Sequence, residues 1–135
     1  MLDTITTYPE TESKELTELK SRLKHVDIYL DVALPRAYKE EARGNLDLDN
    51  FITDCGTKGC VAFHMASALG NPLTLHNWSD IIDEMIFDMF GIEYDIACLR
   101  ARGCFMNSSV SLDERKASMQ LYRAELVSQI EALAA

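Results

Sequence analysis

The stretch Leu16–Ala33, LTELKSRLKHVDIYLDVA, decides the fold class. Its apolar residues recur at alternating spacings of three and four: Leu16, Leu19, Leu23, Val26, Leu30 and Ala33. This spacing places one apolar stripe along an α-helix. We expect Thr7 and Glu10 to form a capping box at the start of this helix. We expect Pro35 to end it, because the proline ring disfavours a helical conformation at the preceding residue.

The remaining helices are predicted from cap residues and helix breakers. The predicted segments are 35–43 ending before Gly44, Lys58 to about Leu69 capped by Thr57, Asp80–Phe90 capped by Ser79 and closed by Gly91, a short helix at 93–101, and a helix from the Ser111–Glu114 capping box to about Leu133. We therefore predict an all-α fold with about five to six helices, two long outer helices around a short central pair. A chain of 135 residues predicts a single domain over 1–135, whose residues 1–6 need not be ordered.

The chain is acidic, with a formal net charge of −9 at pH 7. No Lys or Arg occurs between Gly59 and Leu99, whereas six carboxylates do: Asp80, Asp83, Glu84, Asp88, Glu93 and Asp95. This charge argues against direct binding to nucleic acid or to an anionic membrane. It favours a protein partner with a basic surface. The alternative is that the acidity only keeps a small domain soluble.

The N-terminal residues have neither the basic start nor the apolar run of a signal peptide, and no apolar stretch approaches the ~20 residues that cross a bilayer. We therefore expect a cytoplasmic protein. The four cysteines are then expected to be reduced thiols.

The segment around Cys55 and Cys60 allows three interpretations. A thiolate of Cys55 just before a helix N-terminus would have a lowered pKa and could act as a nucleophile. Cys55, Cys60, His64 and Cys98 could instead bind zinc, with Cys104 as another candidate ligand and His76 as a substitute, although the spacing is not a twice-repeated close pair of cysteines. In the third interpretation Cys60 and the alanines after it form a narrow buried helix surface, and neither a catalytic set nor a cofactor is required. We favour the third.

Two resemblances rest on this segment. The residues DCGTKG, 54–59, resemble the nucleophile segment of ubiquitin carboxyl-terminal hydrolases, which implies Cys55 as nucleophile. Asp49 stands where that family has its oxyanion-hole glutamine, and only His64 and His76 follow Cys55 as candidate bases.

The pattern Cys-Gly-Thr-x-x-Cys-x-Ala, together with Phe90-Gly91-Ile92, is similar to small uncharacterised proteins of bacteriophages and bacteria. That resemblance implies a bacterial or phage cytosolic origin and no particular activity.

The sequence therefore predicts a non-enzymatic protein-interaction module that binds and inhibits a host protein, such as one with a basic nucleic-acid-binding cleft. The binding segment is predicted at 76–96, where the six carboxylates surround Trp78. His76, Phe90 and Tyr94 are further candidate aromatic anchors, because such side chains often dominate interface energies. A zinc-stabilised helical protein and a Cys55 hydrolase are the alternatives, and the sequence does not determine the oligomeric state.

Overall fold

The computed structural model describes residues 13–46, 60–91 and 111–134. Within these ranges the chain is helical and contains no strand, which confirms the all-α prediction. The elements are α1 (Lys14–Ile28), a π-helical turn (Tyr29–Ala33), α2 (Leu34–Ala42), α3 (Val61–Ala68), α4 (Trp78–Phe90) and α5 (Leu112–Ala134). The predicted helix at 93–101 lies outside the described residues, and the count of five to six helices stays a prediction.

Helix α1 begins later than the sequence predicts. Ser13 has an extended backbone, and its side-chain oxygen accepts a hydrogen bond from the Leu16 N–H at 3.1 Å. A serine in this position satisfies one of the free amides of the first turn. The predicted start of this helix at Thr7 is therefore wrong, and Thr7 and Glu10 themselves lie outside the described residues.

Pro35 does not end the first helix. The chain continues from α1 through the π-helical turn into α2, and the Leu34 N–H bonds to the Tyr29 carbonyl, five residues back. In an unbroken α-helix the proline ring would collide with the carbonyl four residues earlier, that of Asp31. A π-turn is wider than an α-helical turn and provides room for the ring. The prediction that a second helix starts near Pro35 and stops before Gly44 is correct, whereas the predicted break is wrong.

The apolar stripe of α1 faces the core as predicted. Leu16, Leu19 and Val26 are buried, and the partly buried Leu23 and Leu30 pack against the core. The long helices α1 and α5 pack directly against each other, and α1 also contacts α4. The predicted arrangement, in which the short helices lie between the long ones, is therefore wrong for the described part of the chain.

Two polar links join α5 to the N-terminal helices. The Arg123 Nε donates to Asp27 Oδ1 on α1, and the Tyr38 hydroxyl on α2 donates to Asp113. Burial, followed by the hydrogen bond to Asp113, raises the pKa of Tyr38 to about 12. The phenol therefore remains a hydrogen-bond donor throughout the neutral range.

The start of α5 has the predicted capping box. The Glu114 N–H donates to Ser111 Oγ at 3.1 Å, and the Ser111 N–H donates to Glu114 Oε1 at 3.0 Å. The bond from the Ser111 N–H, followed by a hydrogen bond from the Ser111 side chain, lowers the pKa of the Glu114 carboxyl. A capping box fixes the helix start from residues that are neighbours in sequence, which explains why it could be predicted.

Small side chains allow α3 to approach the N-terminal helices closely. Cys60, Ala62 and Ala66 are fully buried, as are Ala33 in the π-turn and Ala37 in α2. Helix α3 contacts both of these elements. The predicted small-residue surface is therefore confirmed for these three positions of the segment, although the neighbouring Ser67 and Ala68 are not buried.

The C-terminal end of α4 is held from two sides. The Tyr122 hydroxyl of α5 donates to the Met89 carbonyl at 2.8 Å, which satisfies one of the carbonyls left free at a helix end. Gly91 ends the helix in the left-handed conformation, with φ +71°. A Cβ at Gly91 would lie 2.1 Å from Nη2 of Arg22 on α1, so the guanidinium lies directly against this glycine.

Replacing Gly91 by alanine should destabilise the protein more than replacing Gly44. Both glycines have positive φ, but a Cβ at Gly44 meets nothing within 4 Å. Gly44→Ala should cost about 1–2 kcal/mol through backbone strain alone. Gly91→Ala should cost about 0.3–1 kcal/mol more, because Arg22 must leave the negative end of the α4 dipole. Urea unfolding measures both changes.

The additional cost at Gly91 should vanish in an Arg22→Ala background, where no guanidinium has to move. Equal costs at Gly44 and Gly91 in the wild-type background would show that the Arg22 contact contributes nothing.

Candidate protein-binding face

The described carboxylates of the predicted binding segment lie on the outer side of α4. Asp80, Asp83, Glu84 and Asp88 are all exposed, and the buried residues of the helix lie on the other side. The predicted inward residues Ile82, Met85, Ile86 and Met89 are buried, together with Ile81 and Phe90. Glu93 and Asp95 lie outside the described residues.

Phe87 is an exposed aromatic residue on this outer face, and the sequence analysis missed it. Its side chain is 56% exposed. Asp83 and Glu84 precede it by four and three residues, so all three share one side of the helix. Asp80 lies on the same side, one turn further towards the N-terminus. Phe87 does not share the helical spacing of the inward residues of α4, so its position in the sequence could have predicted its exposure. We call Asp80, Asp83, Glu84 and Phe87 the acidic face.

The predicted aromatic anchors do not join the acidic face. Phe90 is buried and contacts Tyr122, with ring centroids 5.0 Å apart, so its prediction as an anchor is wrong. Trp78 is 37% exposed, but its position in the first turn places it on the side of Ile82, away from Phe87. His76 is exposed in the turn before α4, and Tyr94 lies outside the described residues.

The start of α4 also differs from the prediction. Asn77 and not Ser79 is its N-cap. The Asn77 Oδ1 accepts a hydrogen bond from the Thr74 N–H at 2.7 Å, while Thr74 Oγ1 accepts from the Asn77 N–H at 3.2 Å. Thr74 and Asn77 therefore form a closed turn that sets the direction in which α4 begins.

Asp88 lies at the edge of the acidic face and turns towards α1. Its Oδ2 is 3.9 Å from Nε2 of His25, whose Nδ1 lies 2.9 Å from the Ser21 carbonyl. A surface cleft of about 270 Å³ opens here between α1 and α4. Its lining residues are Glu18, Ser21, Arg22, Phe87, Asp88 and Gly91.

Cys60 is an inaccessible thiol at the start of α3. The helix begins at Val61 with Cys60 as N-cap, so the predicted start at Lys58 is wrong, and with it the role of Thr57 as the cap. Burial raises the pKa of the thiol, while the backbone N–H groups of Ala62 and Phe63 act in the opposite direction. The raised pKa favours the protonated thiol near neutral pH.

Arg115 is also buried, and the sequence analysis did not predict its burial. It is 0% exposed, and its positive charge counteracts part of the rise in the Cys60 pKa. Arg115 follows Leu112 by three residues and precedes Met119 by four, so it occupies a position in the buried stripe of α5. This spacing was the available signal for its burial.

His64 lies one turn after Cys60 and is 9% exposed. Its ring packs edge-to-face against Phe63, with centroids 5.4 Å apart. Burial lowers the pKa of His64. The charge of Glu40 on α2 acts in the opposite direction, and that of Arg36 in the same one. His64 is thus a buried histidine whose neutral form is favoured.

The proposed zinc ligands are only half described. Cys55 and Cys98 lie outside the described residues. The role of Cys55 as a nucleophile therefore stays a prediction. Among residues 13–46, 60–91 and 111–134, no three His, Cys, Asp or Glu side chains come together as a metal site would need. Within the same ranges, every helix is too short or too polar to cross a lipid bilayer.

No protein-family model, curated protein or solved structure matches this chain. The resemblances to ubiquitin carboxyl-terminal hydrolases and to small phage and bacterial proteins therefore stay predictions.

His64 should make the protein less stable as the pH falls below about 6.5. Its pKa is lowered in the folded protein, whereas an unfolded histidine titrates near 6.5. The unfolded state therefore binds more protons in this window, and stability decreases as the pH falls through it. The measurement is urea unfolding at a series of pH values between about 5 and 7.

His64→Gln is the matched variant. It should make the free energy of unfolding depend less on pH between about 5 and 7. Nuclear magnetic resonance titration of the His64 ring gives the pKa directly. A value at or above that of an unstructured histidine would contradict the buried neutral state.

Proposed function

We propose that the protein is a non-enzymatic interaction module whose acidic face binds a basic surface on another protein. The observation that supports the proposal is the exposed aromatic ring of Phe87 among the carboxylates of Asp80, Asp83 and Glu84. Energetically dominant interface residues are commonly aromatic and central, with polar residues around them. The acidic face has this composition on a single helix.

The charge of the face defines the class of partner. Like charges at helical spacing repel by a few tenths of a kcal/mol per pair, so the three carboxylates carry a small cost that binding to cations would relieve. Nucleic acid has the wrong sign, and a protein with Lys and Arg around an apolar pocket has the right one. A basic nucleic-acid-binding cleft fits this description, and a helix that occupied it would compete with the nucleic acid.

The resemblance to small phage and bacterial proteins favours a bacterial protein as the partner. In that setting the module would bind and inhibit a host protein. The zinc and hydrolase alternatives both depend on Cys55, which lies outside the described residues, and within the described ranges no three His, Cys, Asp or Glu side chains come together as a metal site would need.

Photo-cross-linking from position 87 should capture a protein partner. A photoreactive phenylalanine analogue at Phe87 retains the ring, so it should form an adduct with the partner in bacterial cells. The triple variant Asp80→Asn, Asp83→Asn, Glu84→Gln should reduce the adduct strongly, because it removes the charge that attracts a basic surface. Once the partner is purified, Phe87→Ala should weaken its binding by about 2 kcal/mol, or roughly 30-fold.

Leu121 provides a control position. It is the most exposed of the large apolar side chains in the described residues, at 75%, and of its neighbours on α5, which are Ala117, Ser118, Ala124 and Glu125, only one is a carboxylate. Position 121 should give no specific adduct. Equal adducts at 87 and 121, or an adduct at 87 that survives the triple variant with the helical circular dichroism intact, would contradict the proposal.

A further inference from the structure

The cleft between α1 and α4 has the size of a site for a single side chain. Its volume of about 270 Å³ lies below the ~300–1000 Å³ typical of small-molecule pockets. Phe87 forms one wall, so the cleft continues directly from the acidic face. A partner that covers Phe87 would therefore also cover the mouth of the cleft.

The charges around the cleft favour a cation. Glu18 on α1 and Asp88 on α4 line it from opposite helices, and both are exposed. The cleft lies at the C-terminal end of α4, where the helix dipole and the last carbonyls also attract positive charge. Among the described residues, the basic side chains beside it are Arg22, which lies against Gly91, and His25, whose Nε2 is 3.9 Å from Asp88 Oδ2. The charged residues that line the cleft itself are two carboxylates, Glu18 and Asp88, and one permanent cation, Arg22.

The exposed ring of Phe87 favours arginine over lysine as the cation that binds here. A guanidinium is planar, stacks on an aromatic face and donates two parallel hydrogen bonds to a carboxylate. An ammonium has no planar fork and is more strongly hydrated. An exposed aromatic ring beside carboxylates from two helices therefore suits arginine better than lysine.

We propose that this cleft binds one arginine side chain of the partner, stacked on Phe87 and paired with Glu18 and Asp88. The inference rests on the proposed function and specifies it further, since it names the group on the partner's basic surface that the acidic face recognises.

Short blocked peptides are the probes for this site. The full-length protein, labelled with ¹⁵N, is titrated with acetyl-Ala-Arg-Ala-amide, and with the same peptide containing lysine or citrulline in place of arginine. Citrulline has nearly the shape of arginine without its charge. The arginine peptide should shift the Phe87 and Gly91 signals saturably, with a Kd on the order of 1 mM. The lysine peptide should bind several-fold more weakly, and the citrulline peptide should not bind.

The variants Glu18→Gln and Asp88→Asn should each weaken binding of the arginine peptide about three- to fivefold, the range for exposed ion pairs. Glu15→Gln is the matched control, because Glu15 is exposed on α1 one turn from Glu18 and does not line the cleft. Equal binding of the lysine or citrulline peptide, or no effect of the two variants, would overturn the arginine assignment.

The two proposals fail in different ways. Absence of arginine-peptide shifts, while the charge-dependent adduct at position 87 persists, would refute the arginine site and leave the proposed function standing. Loss of both results would refute both.

Discussion

Close contact between α3 and the π-turn is the constraint on which the rest of the described structure depends. Cys60, Ala62 and Ala66 on one side and Ala33 on the other are fully buried, and side chains of this size let two backbones approach closely. Larger side chains at these positions would force the helices apart at a cost of about 1–3 kcal/mol each. The Cys60 thiol therefore belongs to this contact, and solvent has no access to it in the folded protein.

The parts of the fold that could be predicted are set by residues close in sequence. The stripe of α1 and the capping box at Ser111 follow from spacings of three and four residues, and the structure confirms both. The continuation of the helix through Pro35 could not be predicted in this way. Proline excludes an ordinary α-helical turn, and whether the chain breaks or widens into a π-turn depends on the packing of Ala33 and Tyr29, which are both buried.

The candidate site also combines features that neighbouring residues predict with features that only tertiary packing produces. The exposed carboxylates of α4 were predicted from their spacing, and Phe87 could have been found from its phase relative to Met85 and Ile86. The cleft beside Phe87 could not, since Glu18 lies far from Asp88 in sequence and tertiary packing alone brings them together. Among the described residues the Cys60 thiol is buried and the ring of Phe87 is exposed beside carboxylates, and that exposed ring is the physical basis for proposing recognition as the function.

The most direct test of this account is the alkylation rate of Cys60 in the folded full-length protein, resolved by peptide mass spectrometry and compared with the urea-unfolded chain. The account predicts that Cys60 remains unmodified near neutral pH for the time in which the unfolded chain reacts completely, because the side chain is buried and its pKa is raised. Rapid modification of Cys60 in the folded protein would contradict it, since the small-residue contact would then be open and the thiol available for chemistry.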